Sequence, residues 1–186
     1  LMASTFAANQ AGFWSDERGT NLLDSGSHFY EVYETADGKY ISLGSIEPQF
    51  YATLLNKLGD DAKHFENQFD MGNWPQMKAK MTEIIKGKTR DDWDAVFAGS
   101  DVCYAPVLSM SEVRHHPHHQ ARGTFIDDGD VWQPAPAPRF SRTNGELRCA
   151  AATIGEHTKD VLREFGFSDE DIKKRLESGA IHSHSA

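Results

Sequence analysis

Residues 29–58 read FYEVYETADGKYISLGSIEPQFYATLLNKL, a β-hairpin that runs directly into an α-helix. Aromatic and β-branched residues fill the first half, and Asp37-Gly38 sits at the midpoint. That dipeptide is the strongest short hairpin signal, because a type I′ turn needs φ > 0 at both central residues. A two-residue loop then sets the register: Val32 opposite Leu43, Glu34 opposite Ile41, Thr35 opposite Tyr40. Val32, Ile41 and Leu43 are expected on the core face. The second strand ends at Leu43-Gly44-Ser45. Proline is favoured at the first helical position and pushes the preceding residue out of α space, so Glu47 is the predicted cap and Pro48 the first helical residue. Phe50, Tyr51, Leu54, Leu55 and Leu58 form one apolar stripe, and Gly59 stops the helix.

Further elements follow from caps and periodicity. Asn73 is placed to cap a helix with Met77, Met81 and Ile84 or Ile85 inward. Thr89 is placed to cap the next, with Asp91 and Asp92 in its first turn and Trp93, Val96 and Phe97 buried. VCYAPVL (102–108) reads as a strand that Pro106 confines to an edge or an end. Residues 109–122 read as a short helix started or kinked by Pro117. Residues 126–150 read as irregular, with QPAPAPRF (133–140) an extended connector. A helix is expected from Thr158 to Glu164, with Val161, Leu162 and Phe165 inward and Gly166 as its stop. Ser168 caps a last helix, and the tail HSHSA (182–186) is expected to be disordered. The layout is α+β: a compact unit over about 26–125 with an arm on each side, each too poor in apolar surface to fold without a host.

Composition narrows the function. The chain has 186 residues, 39% hydrophobic and 25% charged, with a net charge of −9. That acidity argues against a nucleic-acid partner and against an anionic membrane surface. Cys103 and Cys149 share no CxxC spacing, so free thiols in a reducing compartment, the cytoplasm, are expected. No apolar run reaches transmembrane length. LMASTFAANQ lacks the basic region and cleavage site of a signal peptide. Leu1, Met2, Phe6 and Ala7 read instead as the last turns of an apolar helix that began earlier, as in a fragment.

Three constellations could carry chemistry. His115 and His119 would sit at i and i+4 on a helix, a spacing able to chelate a transition metal, but no carboxylate or Cys completes a shell. The plain alternative is a solvated His-rich face, and no metal is assigned. His182 and His184 lie in the tail. Asp101 beside Cys103 and Tyr104 could suggest a thiol site, although a small hydrophobe in a buried strand is the simpler role for Cys103. Glu47 sits on a short turn between a strand end and a helix start, which presents its side chain outward. Backbone N–H groups beside it could bind a carbonyl or an oxyanion. Its alternative is an exposed cap with no task. No Ser-His-Asp order, P-loop or Rossmann fingerprint is present.

From Arg18 to about Ile181 the chain resembles the C-terminal part of the α-methylacyl-CoA racemase branch of the family III CoA-transferase superfamily. The resemblance rests on RGTNLLD (18–24), FYEVYETADGKY (29–40), GSIEPQFY (44–51), NWPQMK (73–78), PVL (106–108), ARGTF (121–125) and GEHTKDVLREFGFS (155–168). GSIEPQFY directly after the hairpin is selective for the racemase branch. The RGxF and GEHT elements are shared across the superfamily. The resemblance implies a small α+β domain at 26–125. Residues 1–25 would end a helix of a Rossmann-like, CoA-binding large domain, and 126–186 would return to it. It further implies an interlocked homodimer with the active site between subunits.

In such racemases a His and an Asp exchange the proton α to the thioester carbonyl through an enolate-like intermediate, with no cofactor beyond the acyl-CoA substrate. Neither catalytic residue matches a motif here. What carries over is Glu47, an auxiliary catalytic residue that orients the His, with Gly44 and Ile46 as substrate-binding neighbours. The expected function is interconversion of (R)- and (S)-2-methylacyl-CoA by the parent protein, this portion being inactive alone. The rivals are an acyl-CoA:carboxylate CoA-transferase, where a glycine-rich loop replaces IEPQ, and a non-enzymatic His-rich metal-binding or interaction module.

Overall fold

A computed structural model describes residues 1–127 and 131–184. The chain divides into two compact units, Leu1–Val113 and Arg114–Ala186. The first contains α1 (Ala3–Gln10), β1 (Tyr30–Glu34), β2 (Tyr40–Gly44), α2 (Pro48–Leu58), a 3-10 turn (Gly59–His64), α3 (Trp74–Ile85), α4 (Arg90–Phe97), β3 (Tyr104–Val107) and α5 (Met110–Val113). The second contains α6 (Pro117–Ala121), β4 (Phe125–Asp127), β5 (Trp132–Pro134), α7 (Thr158–Glu164) and α8 (Asp169–Glu177). This mixture of helix and strand is the expected α+β class. No helix among the described residues is long and apolar enough to cross a membrane.

The first unit is built on an antiparallel sheet of order β1-β2-β3, with β3 and its Pro106 at an edge. The expected hairpin forms, but its register differs by one residue. Tyr33 lies opposite Ile41 and Glu31 opposite Leu43. Thr35 N–H donates to Lys39 C=O (2.9 Å) and Gly38 N–H to Thr35 C=O (3.1 Å), so Ala36, Asp37 and Gly38 form a three-residue loop. Gly38 alone of the Asp37-Gly38 pair has positive φ, at 72°. This is the type I turn followed by a left-handed residue, not the type I′ turn. The cause is the Asp37 side chain. Its Oδ1 accepts from Thr35 Oγ1 (2.6 Å) and from Arg90 N–H (3.1 Å). The Thr35 hydroxyl holds the Asp37 carboxyl below its ordinary range. One residue of slip exchanges the faces. Tyr33 is therefore buried, while Val32, expected in the core, is 51% exposed.

The core packs Phe29, Tyr33, Ile41 and Leu43 against the inner stripes of α2, α3 and α4. Tyr51, Leu54 and Leu58 are the buried residues of α2, and Phe50 is only half-buried. Met77, Met81 and Ile85 are buried on α3, and Trp93 and Phe97 on α4, as their spacing predicts. Thr89 and Asp92 close a capping box. Asn73 precedes α3 without a capping hydrogen bond from its side chain. Arg90 is buried and donates to Val107 C=O (2.9 Å) and, through two nitrogens, to Glu112 (2.7 and 3.0 Å). The guanidinium and the Ser109 N–H hold the Glu112 carboxyl well below the carboxylate range. Cys103, expected as a buried strand residue, is exposed, precedes β3 and has φ 54°. Val102 takes the buried position instead.

His28, which directly precedes the hairpin stretch, is fully buried and stacked on Phe65. The Tyr51 hydroxyl donates to Phe65 C=O (2.9 Å) and accepts from His28 Nε2 (2.7 Å). His28 Nδ1 has no hydrogen-bond partner among the described residues. Burial pushes the imidazole down to about 4.

Residues 109–122 do not form one helix, and α5 ends at Val113 within the first unit. Pro117 opens α6 as its first residue, with His116 as the cap. The stretch read as irregular contains the β4–β5 ribbon, which ends at Pro134. Residues 128–130 of that stretch lie outside the described residues. α7 and α8 occupy the expected ranges, and Ser168 accepts from Asp171 N–H as the cap of α8. Leu162 is half-buried, but Val161 and Phe165 are 45% and 78% exposed, not inward. α7 meets α8, but among the described residues that contact leaves these two side chains largely uncovered. Of the tail expected to be disordered, His184 N–H donates to Gly155 C=O (3.1 Å), and Ser185 and Ala186 lie outside the described residues.

Two measurements check this packing. Ile41→Ala should lower unfolding free energy by about 3 kcal/mol, and Val32→Thr should change it by less than about 0.5 kcal/mol. The reverse ranking in urea titrations would contradict the register. His28 has a folded pKa near 4 against about 6.5 when unfolded, so the unfolded state binds more protons between these values. Stability should therefore fall as pH drops from 6.5 to 4, by roughly 3 kcal/mol from this group, and level off below. His28→Gln should flatten that part of the profile.

Candidate active site at the strand–helix turn

The end of β2 passes into α2 through Ser45, Ile46 and Glu47, and this turn is held by hydrogen bonds from distant segments. Gly44 N–H donates to Cys103 C=O (2.8 Å) and Ser45 N–H to Phe29 C=O (3.0 Å). The buried Ser45 hydroxyl donates to Val102 C=O (2.5 Å). Ile46 N–H closes back on Gly44 C=O (2.9 Å). The Gln68 side-chain amide donates to both Ser45 C=O (3.0 Å) and Ile46 C=O (2.9 Å). Buried backbone groups that found no such partners would carry a desolvation penalty, so the whole set specifies one turn conformation.

Glu47 is the N-cap of α2 with extended backbone (φ −72°, ψ 142°), and Pro48 follows as the first helical residue. Its carboxylate makes no cap hydrogen bond and is exposed. It is close enough to Cys103 to act on it. Burial pushes the Cys103 thiol up, and the Glu47 and Asp101 carboxylates add to the effect. The helix N-terminus lies at the same place, where N–H groups favour negative charge.

Gly44 and Cys103 line an open groove of about 390 Å³ that also takes in Leu23, Tyr30 and Tyr104. A Cβ on Gly44 would meet Cys103 O at 3.5 Å and the Tyr30 ring at 3.8 Å, ordinary contact distances. Ile46 is turned the other way. Its side chain packs on the core, and its carbonyl is taken by Gln68. Gly44, Ile46 and Glu47 thus share one turn but face three environments: groove, core and solvent.

The histidine cluster is arranged differently from its spacing. His115 precedes α6, so it shares no helical phase with His119. Its Nε2 accepts from Arg114 Nε (3.1 Å). His116 Nδ1 is occupied as the acceptor for His118 N–H (3.3 Å). Among the described residues, no group of three His, Cys, Asp or Glu side chains is placed to hold a metal ion. Pro117 resets the helix start and removes the i, i+4 geometry.

Two residues of this neighbourhood left no sequence signal. Gln68 lies in a polar stretch without periodicity and acts on carbonyls 22 and 23 positions away. His28 lies between the polar stretch and the hairpin with no pattern of its own, and only the pairing of Tyr51 and Phe65 around it marks it as core.

Known proteins share this architecture. The chain is 44% identical over 163 residues to α-methylacyl-CoA racemase of Mus musculus, covering 87% of this chain and 43% of that protein. It is 41% identical over 187 residues to α-methylacyl-CoA racemase of Homo sapiens, covering 99% and 49%. Succinyl-CoA:glutarate CoA-transferase of Homo sapiens is 26% identical over 166 residues, covering 83% and 38%. Among solved structures, a CAIB/BAIF family protein from Brucella suis superposes with a TM-score of 0.65 at 22% identity, covering 88% of this chain and 44% of that one. The chain therefore spans less than half the length of the curated relatives it matches. The pattern of CoA-transferase family III matches residues 1–158, and the chain belongs to that family.

Proposed function

We propose that these residues are the small-domain portion of a 2-methylacyl-CoA racemase, and that Glu47 is their contribution to its active site. The parent protein would interconvert (R)- and (S)-2-methylacyl-CoA by 1,1-proton transfer through an enolate-like intermediate. A His and an Asp supplied from outside this chain would stand on opposite faces of the α carbon. One removes the proton, and the other returns a proton to the opposite face. Glu47 would accept the N–H of that imidazole, fix its orientation and favour its cationic form. Gly44 would leave room for substrate at the rim of the groove, with Ile46 setting the turn beside it. Residues 1–25 and 126–186 would pack on a Rossmann-like large domain, around 26–125, in an interlocked homodimer. The two exposed free cysteines fit a cytoplasmic setting.

The observation that carries this reading is the Glu47 carboxylate. It is exposed and has no hydrogen-bond or ion-pair partner among the described residues, yet it stands on a turn fixed from several sides. A surface cap with no task needs no such support. The 41–44% identity to racemases against 26% to a CoA-transferase favours proton transfer over acyl transfer.

The test is solvent deuterium uptake at C2 of (S)-2-methylacyl-CoA with no acceptor acid present. The parent protein should exchange this proton, and the 186-residue chain alone should not. Glu47→Gln in the parent should lower kcat roughly 10- to 100-fold, the range for a group that orients a catalytic His. It should also move the acid limb of kcat/KM to lower pH, because losing a carboxylate beside an imidazole lowers its pKa. Exchange by the short chain, or turnover by the parent that requires an acceptor acid, would overturn the reading.

A further inference from the structure

Gln68 is held through its backbone and holds the strand–helix turn through its side chain. It follows Asn67, whose φ of 59° is left-handed, a conformation that Asn tolerates better than most residues. Asp70 N–H donates to Asn67 C=O (2.9 Å) and closes the turn. The Gln68 carbonyl accepts from Trp74 Nε1 (2.8 Å), and Trp74 is the buried first residue of α3. The backbone of Gln68 is thereby fastened to the core.

Its side chain then reaches back across the chain. Both contacts come from the same nitrogen, Nε2, which carries two hydrogens. They go to successive carbonyls, Ser45 (3.0 Å) and Ile46 (2.9 Å). Two neighbouring peptide planes are fixed by one planar amide. The second plane carries the nitrogen of Glu47. On the far side of Glu47, Pro48 has a fixed φ and no N–H. Glu47 itself makes no capping bond. The orientation of its Cα–Cβ bond is thus set by Gln68 before it and Pro48 after it. Ser45 is already held through its own N–H and hydroxyl, to Phe29 and Val102. The Ile46 carbonyl has Gln68 as its only hydrogen-bond partner among the described residues.

We infer that Gln68 is a positioning residue for the Glu47 carboxylate, acting on turnover through that residue alone. This rests on the racemase reading of Glu47. A glutamine retained only for stability would shift folding and leave the pH profile in place. One that positions Glu47 reproduces the Glu47 phenotype in attenuated form.

The experiment is a double-mutant cycle in the parent protein, read by deuterium exchange at C2. Gln68→Met keeps length and removes both donors. It should lower kcat about tenfold with KM within about twofold, since a small misplacement of a catalytic group is felt mainly in turnover. The acid limb should move in the same direction as in Glu47→Gln. The double variant should turn over like Glu47→Gln alone, because the effect of Gln68 passes through a carboxylate no longer present. Losses that multiply in the double variant, or an unmoved acid limb in Gln68→Met, overturn the inference while leaving the role of Glu47 intact. Glu47→Gln with wild-type turnover overturns both. If Gln68→Met does not fold, Gln68→Glu serves. Its carboxylate faces two carbonyls when ionised and regains one donor when protonated. Its deficit relative to wild type should then shrink as pH falls toward about 4 to 5, and a constant deficit overturns the inference.

Discussion

The hairpin closes on the pair Thr35–Lys39 with three residues between them, and the first unit inherits its parity from that closure. A strand has a side-chain period of two, so the loop length decides which of Val32 and Tyr33 enters the core. Tyr33 enters, and its hydroxyl donates to His28 C=O (2.6 Å). His28 in turn meets Tyr51 on α2. The closure also fixes Asp37, whose carboxylate receives the first N–H of α4. Ala36 N–H donates to Lys88 C=O just before that helix (2.9 Å). One loop therefore sets the sheet face, the seat of α2 and the entry of α4. The other register would bury Val32 and Glu34 on the core side. It would also leave the Tyr33 ring in water, losing the burial of a large aromatic side chain.

Features whose partners lie within a few residues were legible in the sequence. Thr89 and Ser168 as caps, Pro48 at a helix start, and Gly59 and Gly166 at helix ends all emerged from local chemistry. So did the inner stripes of α3 and α4. What stayed hidden depends on partners far along the chain. Asp37-Gly38 announces a hairpin, but the Asp37 carboxylate that shapes its loop is held by Arg90 N–H, 53 positions away, as well as by Thr35. The Arg90–Glu112 pair spans 22 positions and buries a guanidinium that reads as a surface helix residue. Cys103 looked like strand because Val102 and Tyr104 flank it. Its left-handed backbone follows from the need to offer its carbonyl to Gly44 while Val102 offers its own to Ser45. Val161 and Phe165 have helical spacing but stay largely exposed among the described residues, because spacing alone cannot supply a covering element.

The candidate site shows the same division. Glu47 stands out in the sequence because Pro48 marks a helix start and Gly44 a strand end, two local signals that bracket it. Its supports do not, because Gln68, Val102 and Phe29 come from three separate segments. The histidine cluster is the converse case. His115 and His119 have the right sequence separation for one helix, and a single proline at 117 places them in different structural contexts. Spacing is informative only when the element that would carry it persists across the whole interval.

A carboxylate at a helix N-terminus ordinarily serves the helix, by accepting an N–H of the first turn and compensating the dipole. Glu47 does neither through a hydrogen bond, and the position nevertheless keeps an acidic residue in an extended conformation ahead of a proline. Helix start and side-chain task are thereby separated. Pro48 and the buried Ser45 hydroxyl provide the start, so the carboxylate can lean toward solvent and Cys103 without loosening α2. A group that must meet an imidazole from another part of the protein needs this separation. If its oxygens were committed to the helix, moving them onto a partner would expose an N–H and shift α2 each time. Because they are not, in the proposed role the turn would stay fixed while the carboxylate exchanged water for its partner, with the orientation supplied in advance by the backbone.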